Sequence, residues 1–276
     1  MQNNNNKILV TGGTGKTGGR IAKKLIRKGF DTRIGSRSQA IPFDWENENT
    51  WKSTLDGISA VYISFQPDLA VPGASETIKN FVKLAVVEGV QKLVLLSGRG
   101  EPQAEACEDV VINAGIDWTV LRASWFYQNF SEGFMLDSIL SGDVRLPVGD
   151  VKEPFVDAED IADIAFEAMT TGKHNNTLYE LTGPGLLTFR EAIAEIASVS
   201  GRTIHFTEVS LDAYKEMLIS QDVPQDYISL LNYLFTEVLD GRNAHVTPGV
   251  KQALGREATD FARYTKRNVN AWMQVV

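Results

Sequence analysis

Short apolar runs alternate with amphipathic segments along the first half of the chain. Lys92–Ser97 is apolar almost throughout, as a strand buried on both faces should be. The predicted strands are Lys7–Thr11, Asp31–Ile34, Ala60–Phe65, Lys92–Ser97 and Asp117–Arg122, and the predicted helices are Gly19–Lys28, Glu76–Glu88 and Ala104–Ala114. Strands that alternate with helices form parallel sheets covered by helices. The pattern predicts an α/β fold with a Rossmann-type, doubly wound parallel sheet.

The alternation weakens after about Trp125. The later pattern predicts helices at Asp160–Met169, Phe189–Val199 and Leu211–Ser220, with a further strand at Thr177–Leu181. We interpret this half as a small, mostly helical C-terminal lobe that returns some strands to the main sheet. The predicted limits are a disordered lead at 1–6, an α/β domain at 7–130 and the lobe at 131–276.

Charge and cysteine content narrow the range of partners. The net charge of −8 disfavours binding to nucleic acid and to anionic membranes. The start, MQNNNNK, lacks the apolar region of a signal peptide, and no apolar run reaches the length of a membrane span. The single cysteine, Cys107, is typical of a reducing compartment, and we expect it to be buried and inert. A cytoplasmic monomer or homodimer is the expectation.

A glycine loop follows the first predicted strand. It reads GGTGKTG, with Gly12, Gly15 and Gly18 in the spacing GxxGxxG. Between a strand and a helix, such glycines permit a tight turn, a close approach to a phosphate and close helix packing. The helix N-terminus then presents free N–H groups to an anion. The loop therefore predicts a dinucleotide site in which Gly12, Thr14, Gly15, Lys16, Thr17 and Gly18 contact the diphosphate.

A P-loop is the competing interpretation, since Gly15-Lys16-Thr17 resembles its GK[ST] ending. That motif requires GxxxxGK[ST], and its first glycine would fall on Val10 inside the strand. The loop is too short to enclose a triphosphate.

The end of the second strand distinguishes the two common dinucleotides. NAD sites place an acidic residue about 20 residues after the loop, to bind the ribose hydroxyls. Here Arg37 lies 19 residues after Gly18, between Ser36 and Ser38. A guanidinium binds a 2′-phosphate, whereas a carboxylate repels it. We predict NADP(H) as the cofactor, with Arg33 as a second candidate ligand.

Several longer segments resemble a known family. The loop GGTGKTG, the SRS at 36–38, PFDWENENTW at 42–51, LLSGRGE at 95–101 and DWTVLRASWFYQNF at 117–130 resemble the NmrA-like, or atypical, short-chain dehydrogenase/reductase family. Within it, the chain is similar to bacterial relatives of the agroclavine and festuclavine dehydrogenases. The resemblance spans nearly the whole chain and implies an extended Rossmann fold with a small substrate lobe.

The resemblance also implies positions for the remaining contacts. It puts Asp44 and Trp45 beside the adenine, and Ser64, Phe65 and Gln66 beside the adenosine ribose and the nicotinamide side. It puts Ser97, Gly98 and Arg99 toward the nicotinamide. The acceptor pocket would then receive Arg99, Trp125, Phe126, Gln128 and Asn129. For Trp125, Phe126 and Tyr127, ordinary core packing is an equal alternative.

The chain departs from the catalytic pattern of typical short-chain dehydrogenases, which pair Tyr and Lys as YxxxK. Ser97 takes the expected serine position, but Ala104–Ala114 contains neither Tyr nor Lys. One hypothesis is an NADP(H)-dependent oxidoreductase acting on a small hydrophobic or aromatic acceptor that needs no protein general acid, such as a quinone or an imine/iminium. The alternative is a non-catalytic, NADP(H)-binding redox sensor.

Other motifs add no chemistry. His174, His205 and His245 are far apart in sequence, so we expect surface histidines and no metal site. Asp157 and Asp160 are interpreted as acids at the start of a helix.

Overall fold

A computed structural model describes residues 7–273, and the predicted disordered lead at 1–6 lies outside them. The strands are β1 Lys7–Thr11, β2 Thr32–Gly35, β3 Ile58–Ile63, β4 Lys92–Gly98, β5 Asp117–Ala123, β6 Asp143–Leu146, β7 Lys152–Glu153, β8 Thr177–Leu181, β9 Leu187–Thr188 and β10 His205–Glu208. Every strand predicted from the sequence is present, with ends that differ by a few residues.

The helices predicted from the sequence are also present, with ends that differ by a few residues. The α-helices are α1 Lys16–Arg27, α2 Trp51–Leu55, α3 Ala74–Val87, α4 Pro102–Ile112, α5 Leu136–Ser141, α6 Ala158–Thr170, α7 Phe189–Ser200, α8 Leu211–Ser220, α9 Gln225–Tyr233, α10 Gly249–Leu254 and α11 Phe261–Arg267. Short 3₁₀ segments lie at Glu48–Thr50, Tyr127–Phe130 and Val269–Ala271, and a π-helical turn at Leu234–Val238. Within residues 7–273, none of the helices combines the length and the apolar character needed to cross a bilayer.

The main sheet has six parallel strands in the order β2-β1-β3-β4-β5-β8. Leu9, Val61 and Leu93 pack on one face with α3 and α4. Neighbouring residues in a strand point to opposite faces, so the buried Ile8 and Val10 face the other side. There Tyr62 bonds to Thr17 of α1, and α1 packs on α6. The predicted α/β, doubly wound sheet is confirmed.

The order of the strands defines where a ligand can enter. β1 lies between β2 and β3. The chain therefore adds β2 on one side of β1, and then returns to add β3 and the later strands on the other side. At such a point the loops after the strands diverge and leave a crevice outside the carboxyl ends. The glycine loop follows β1 at this position.

The chain divides into two compact units. The first contains residues 7–123, 158–181 and 249–256 of the described chain, and the second contains 124–157, 182–248 and 257–273. The main sheet, α1 to α4, α6 and α10 belong to the first unit, because β8, α6 and α10 return to it from the second half. The first boundary between the two units falls after β5, whereas the predicted domain boundary is at 130. The functional assignment of the predicted domains stays a prediction.

The second unit contains α5, α7 to α9 and α11 with two small two-stranded sheets. β6 pairs with β10 in parallel, and β7 pairs with β9 antiparallel. Aromatic side chains dominate its core, including Tyr127, Phe130, Phe155, Phe189, Tyr264 and Trp272. The small, mostly helical lobe predicted at 131–276 overlaps this unit, and its limits stay a prediction.

One histidine differs from expectation. His205 and His245 are exposed, as predicted, but His174 is fully buried. Its Nδ1 lies 2.9 Å from Tyr179 Oη and its Nε2 lies 3.2 Å from Glu167 Oε2. Thr119 Oγ1 also donates to its carbonyl. These partners satisfy the imidazole inside the first unit, so His174 is a structural residue rather than a surface one.

The capping box at the start of α7 gives a test of the second unit. Thr188 Oγ1 accepts from Glu191 N at 3.0 Å, and Glu191 Oε2 accepts from Thr188 N at 2.8 Å. Thr188→Ala should lower the free energy of unfolding by about 1–2 kcal/mol, because it leaves a helix N–H without a partner. Thr188→Ser keeps the hydroxyl, so its free energy of unfolding should fall much less. Chemical denaturation of both variants measures the difference, and equal losses would contradict a capping role.

Candidate functional site

The glycine loop makes a tight turn from β1 into α1. Gly15 N donates to Gly12 O at 2.8 Å, and Gly12 has a φ of 60°, which favours glycine. A Cβ placed on Gly18 would lie 2.3 Å from Gly12 O, closer than real contacts allow. A side chain at 18 would therefore push α1 away from the turn.

The N-terminus of α1 suits an anion. Its N-cap is Gly15 and its first turn is Lys16, Thr17 and Gly18, so neither a capping side chain nor a carboxylate occupies the end of the helix. The first N–H groups of a helix lack intrahelical acceptors and carry partial positive charge. Thr14 is exposed beside them. Thr17 is buried and accepts from Tyr62 Oη at 3.0 Å, so its hydroxyl already holds a structural bond.

The carboxyl end of β3 lies directly against this loop. Thr11 Oγ1 donates to Tyr62 O at 3.0 Å and accepts from Ser64 N at 2.9 Å. A Cβ on Gly12 would lie 3.3 Å from the Ser64 Cβ. Trp45 Nε1 donates to Ser64 O at 3.1 Å. The structure thus brings together Gly12, Ser64 and Trp45, which are far apart in sequence.

Trp45 and Phe65 belong to an aromatic cluster. Their ring centroids are 5.0 Å apart, and Phe43, Trp51 and Phe81 pack around the indole. This packing fixes the segment after β2 against the end of β3. Two further predicted contacts are less constrained: Gln66 is exposed, and the Asp44 carboxylate accepts from the backbone N of Glu46 within a local turn.

The loop after β2 carries the predicted phosphate ligands. Thr11 of β1 is in register with Gly35 of β2, so residues 36–38 begin beside the glycine loop. Ser36 Oγ and Ser38 Oγ are 3.2 Å apart, and Arg37 is exposed. Arg33, the second candidate, already has structural partners. Its guanidinium donates to the carbonyls of Ser53, Thr54 and Asp56 around the end of α2.

Ser97 at the end of β4 is held in a buried polar network. Its hydroxyl donates to Glu108 Oε1 at 2.6 Å, and the same carboxylate makes two hydrogen bonds to Arg122. Glu108 lies on α4, the helix that lacks the Tyr and Lys of typical short-chain dehydrogenases. Because its proton is directed at Glu108, Ser97 is not poised to donate it elsewhere. Sequence reasoning missed Glu108 and Arg122.

Two more predicted residues lie nearby in the first unit. Gly98 follows Ser97, and Arg99 is buried with its Nε 3.6 Å from Glu180 Oε2. Cys107, also on α4, is buried as expected. Burial, Glu108 and Asp68 raise the pKa of its thiol to about 12, which leaves it inert.

The other predicted acceptor residues, Trp125, Phe126, Gln128 and Asn129, lie in the second unit. Trp125 packs against Phe189 and Phe235, at centroid distances of 5.5 and 5.6 Å, and remains partly exposed. Phe126 and Asn129 are also partly exposed, whereas Tyr127 is core.

Gln128 is fully buried in the second unit. Its Nε2 donates to Asp157 Oδ1 at 2.8 Å, and Asp157 also pairs with Arg267. The amide therefore has a structural partner.

Among residues 7–273, the buried Ser124 Oγ lacks a hydrogen-bond partner.

Comparisons with known proteins agree on one family. The model of the NmrA-like family matches residues 105–273. Agroclavine dehydrogenase of Claviceps fusiformis is 32% identical, covering 96% of this chain and 98% of that protein. Prestalk A differentiation protein A of Dictyostelium discoideum is 28% identical, covering 94% and 91%.

A solved structure shares the fold. The NADPH-dependent quinone oxidoreductase of Escherichia coli, complexed with NADPH, has a TM-score of 0.77 at 20% identity, covering 94% of this chain and 99% of that one. At this identity the likeness concerns the fold alone.

Adjacent glycines test the geometry of the loop. Gly18→Ala should lower the free energy of unfolding by about 1–3 kcal/mol, because the new methyl clashes with the Gly12 carbonyl. Gly19→Ala is the matched control. Its Cβ would have ordinary contacts from 3.7 Å, and alanine favours a helix interior by about 1 kcal/mol, so stability should hold or rise. Thermal denaturation compares the two, and the opposite ranking would refute this packing.

Proposed function

The chain belongs to the NmrA-like family, and we propose that it is an NADP(H)-dependent oxidoreductase that passes a hydride to a small hydrophobic acceptor, a quinone or an imine/iminium. One observation carries the proposal. The uncapped N-terminus of α1 and the exposed Arg37 loop follow neighbouring strands at the same edge of the sheet. An anion-binding turn beside a guanidinium suits NADP(H), a dinucleotide that carries both a diphosphate and a 2′-phosphate.

The proposed cofactor contacts follow the edge of the sheet. The diphosphate would be bound by Gly12, Thr14, Gly15, Lys16, Thr17 and Gly18, the 2′-phosphate by Ser36, Arg37 and Ser38, the adenosine by Asp44, Trp45, Ser64, Phe65 and Gln66, and the nicotinamide by Ser97 and Gly98. Thr17 would contribute its backbone N–H, since its hydroxyl bonds to Tyr62. The proposed acceptor contacts are Arg99, Trp125, Phe126 and Asn129.

The bound dinucleotide would supply the hydride, and the side chains limit which acceptors can take it. Reduction of a ketone creates a strongly basic alkoxide that needs a proton donor. Here α4 has no Tyr–Lys pair and the Ser97 hydroxyl is bonded to Glu108. Quinones and iminium ions are easier acceptors, because their reduced forms are weakly basic anions or neutral amines. Agroclavine dehydrogenase is named for a redox reaction, and a quinone oxidoreductase shares the fold.

A redox sensor that binds NADP(H) without turnover is the second candidate. The same bond between Ser97 and Glu108 favours it, because it removes the serine from proton transfer. The Dictyostelium relative, named for differentiation rather than for a reaction, also fits this class. A sensor would bind NADP⁺ and NADPH but reduce no acceptor. In either case we propose a cytoplasmic monomer or homodimer.

Arg37 tests the cofactor assignment. Arg37→Ala should weaken NADPH binding roughly 10–100-fold and leave NADH binding unchanged, because only NADPH has the 2′-phosphate. Arg27→Ala removes the same charge from an exposed site near the far end of α1 and should change neither affinity. Calorimetric titration of all three proteins measures this. Equal affinity of the parent protein for NADPH and NADH would contradict the assignment.

Turnover separates the two candidate functions. We expect the protein to oxidise NADPH in the presence of quinones or cyclic imines. The loss of NADPH absorbance measures this oxidation. A panel should also include azo and triarylmethane dyes and simple ketones, and ketones should react least. Tight NADPH binding without oxidation by any acceptor would favour the sensor.

A further inference from the structure

Two carboxyl groups that the sequence analysis did not single out lie at the carboxyl ends of β3 and β4. Asp68 follows β3, and Glu101 follows β4 as the N-cap of α4. Their carboxyl groups face each other closely enough to interact, and a hydrogen bond between them contributes to the pKa of both. Two ionised carboxylates offer only acceptors, so a hydrogen bond between them requires one proton.

The position of Glu101 points to a missing ligand. The side chain is only 6% exposed, and apart from the contact of the carboxyl group with Asp68, its Oε2 has no hydrogen-bond partner among residues 7–273. Both of its oxygens lie against Gly98: a Cβ on that glycine would be 2.2 Å from Oε1 and 2.8 Å from Oε2. Gly98 is a proposed nicotinamide contact. A buried oxygen without a partner beside it is where an acceptor atom could complete the hydrogen bonding.

We propose that Asp68 and Glu101 form a carboxyl–carboxylate pair that keeps one proton at neutral pH and supplies it to the reduced acceptor, which makes the acceptor a quinone. This inference rests on the proposed function and replaces the expectation that no protein group supplies a proton. Asp68 holds the pair in place, since its Oδ1 accepts from Ala70 N at 2.8 Å.

The electrostatics of the pair agree with this role. Burial, the nearby charge of Asp68 and their hydrogen bond raise the pKa of Glu101 to about 9, and burial also raises the pKa of Asp68. The cations on the adjoining segments are engaged elsewhere: Arg99 faces Glu180, and Arg122 faces Glu108. The Cys107 thiol also lies near Asp68, and its raised pKa keeps it protonated at neutral pH.

The chemistry of the acceptor follows from the proton balance. Hydride addition to a quinone gives a hydroquinone anion. The Glu101 O–H bond then breaks and a phenolic O–H bond forms, leaving two carboxylates that recover one proton from water. A phenol has a pKa of about 10, so a carboxyl with a pKa of about 9 is well matched to this transfer. An iminium ion becomes a neutral amine by hydride addition alone and would not use the pair.

The proton itself can be observed without cofactor. Infrared spectroscopy of the apoprotein should show a protonated carboxyl at pH 7 that titrates near 9 and that Glu101→Gln removes. Asp68→Asn should shift the titration to lower pH, because it removes the neighbouring negative charge. Asp109→Asn, at an exposed carboxylate on the same helix, is the matched control and should leave the titration unchanged. A wild-type spectrum without this carboxyl at pH 7 would overturn the proposal.

Kinetics test the use of the proton. With NADPH affinity unchanged, Glu101→Gln should lower kcat for a quinone by about 10²-fold and leave imine reduction unaffected, whereas Asp109→Asn should match wild type. Equal quinone rates in Glu101→Gln and wild type, or a loss confined to imines, would overturn the proposal. Failure of the wild-type protein to bind NADPH would instead refute the proposed function, and the infrared result would still stand.

Discussion

The turn from β1 into α1 is the constraint on which the rest of the site depends. The Gly12 carbonyl accepts from Gly15 N and leaves no room for a side chain at Gly18, so the end of α1 is drawn onto the sheet edge. Thr11 ties the same edge to β3 through its hydroxyl. Because β2 and β3 flank β1, any ligand at the helix N-terminus would meet the loops that follow three strands.

Farther along the same edge, the sheet buries charged groups that differ in their electrostatics. Glu108 is paired with Arg122 and accepts a hydrogen bond from the Ser97 hydroxyl. Within residues 7–273, the carboxyl groups of Asp68 and Glu101 instead interact with each other, and burial raises the pKa of both. The first arrangement gives the Ser97 hydroxyl a structural partner, and the second is the proton source that we propose. Together they would make a chain without the Tyr–Lys pair compatible with the proposed reduction.

Particular elements show how far sequence patterns reach. The apolar run at β4 and the glycine loop were readable because burial on both faces and tight turns restrict residue type locally. The sequence ranked Arg37 above Arg33 only by its spacing from the glycine loop and its flanking hydroxyls. Both are arginines near the end of β2, and only the folded chain shows that Arg33 caps α2 while Arg37 stays exposed. His174 was assigned to the surface because its partners, Glu167 and Tyr179, come together only through packing.

The sequence by itself determined the α/β fold, the turn that suits a diphosphate, the absence of an acid after β2 and the lack of a Tyr–Lys pair. Each of these is a property of consecutive residues. Only the tertiary structure decided that Ser97 is bonded to Glu108 and that Asp68 and Glu101 share a hydrogen bond. The charge state of a carboxyl depends on its burial and on neighbours from other strands. Neither can be inferred from the residues next to it in the sequence.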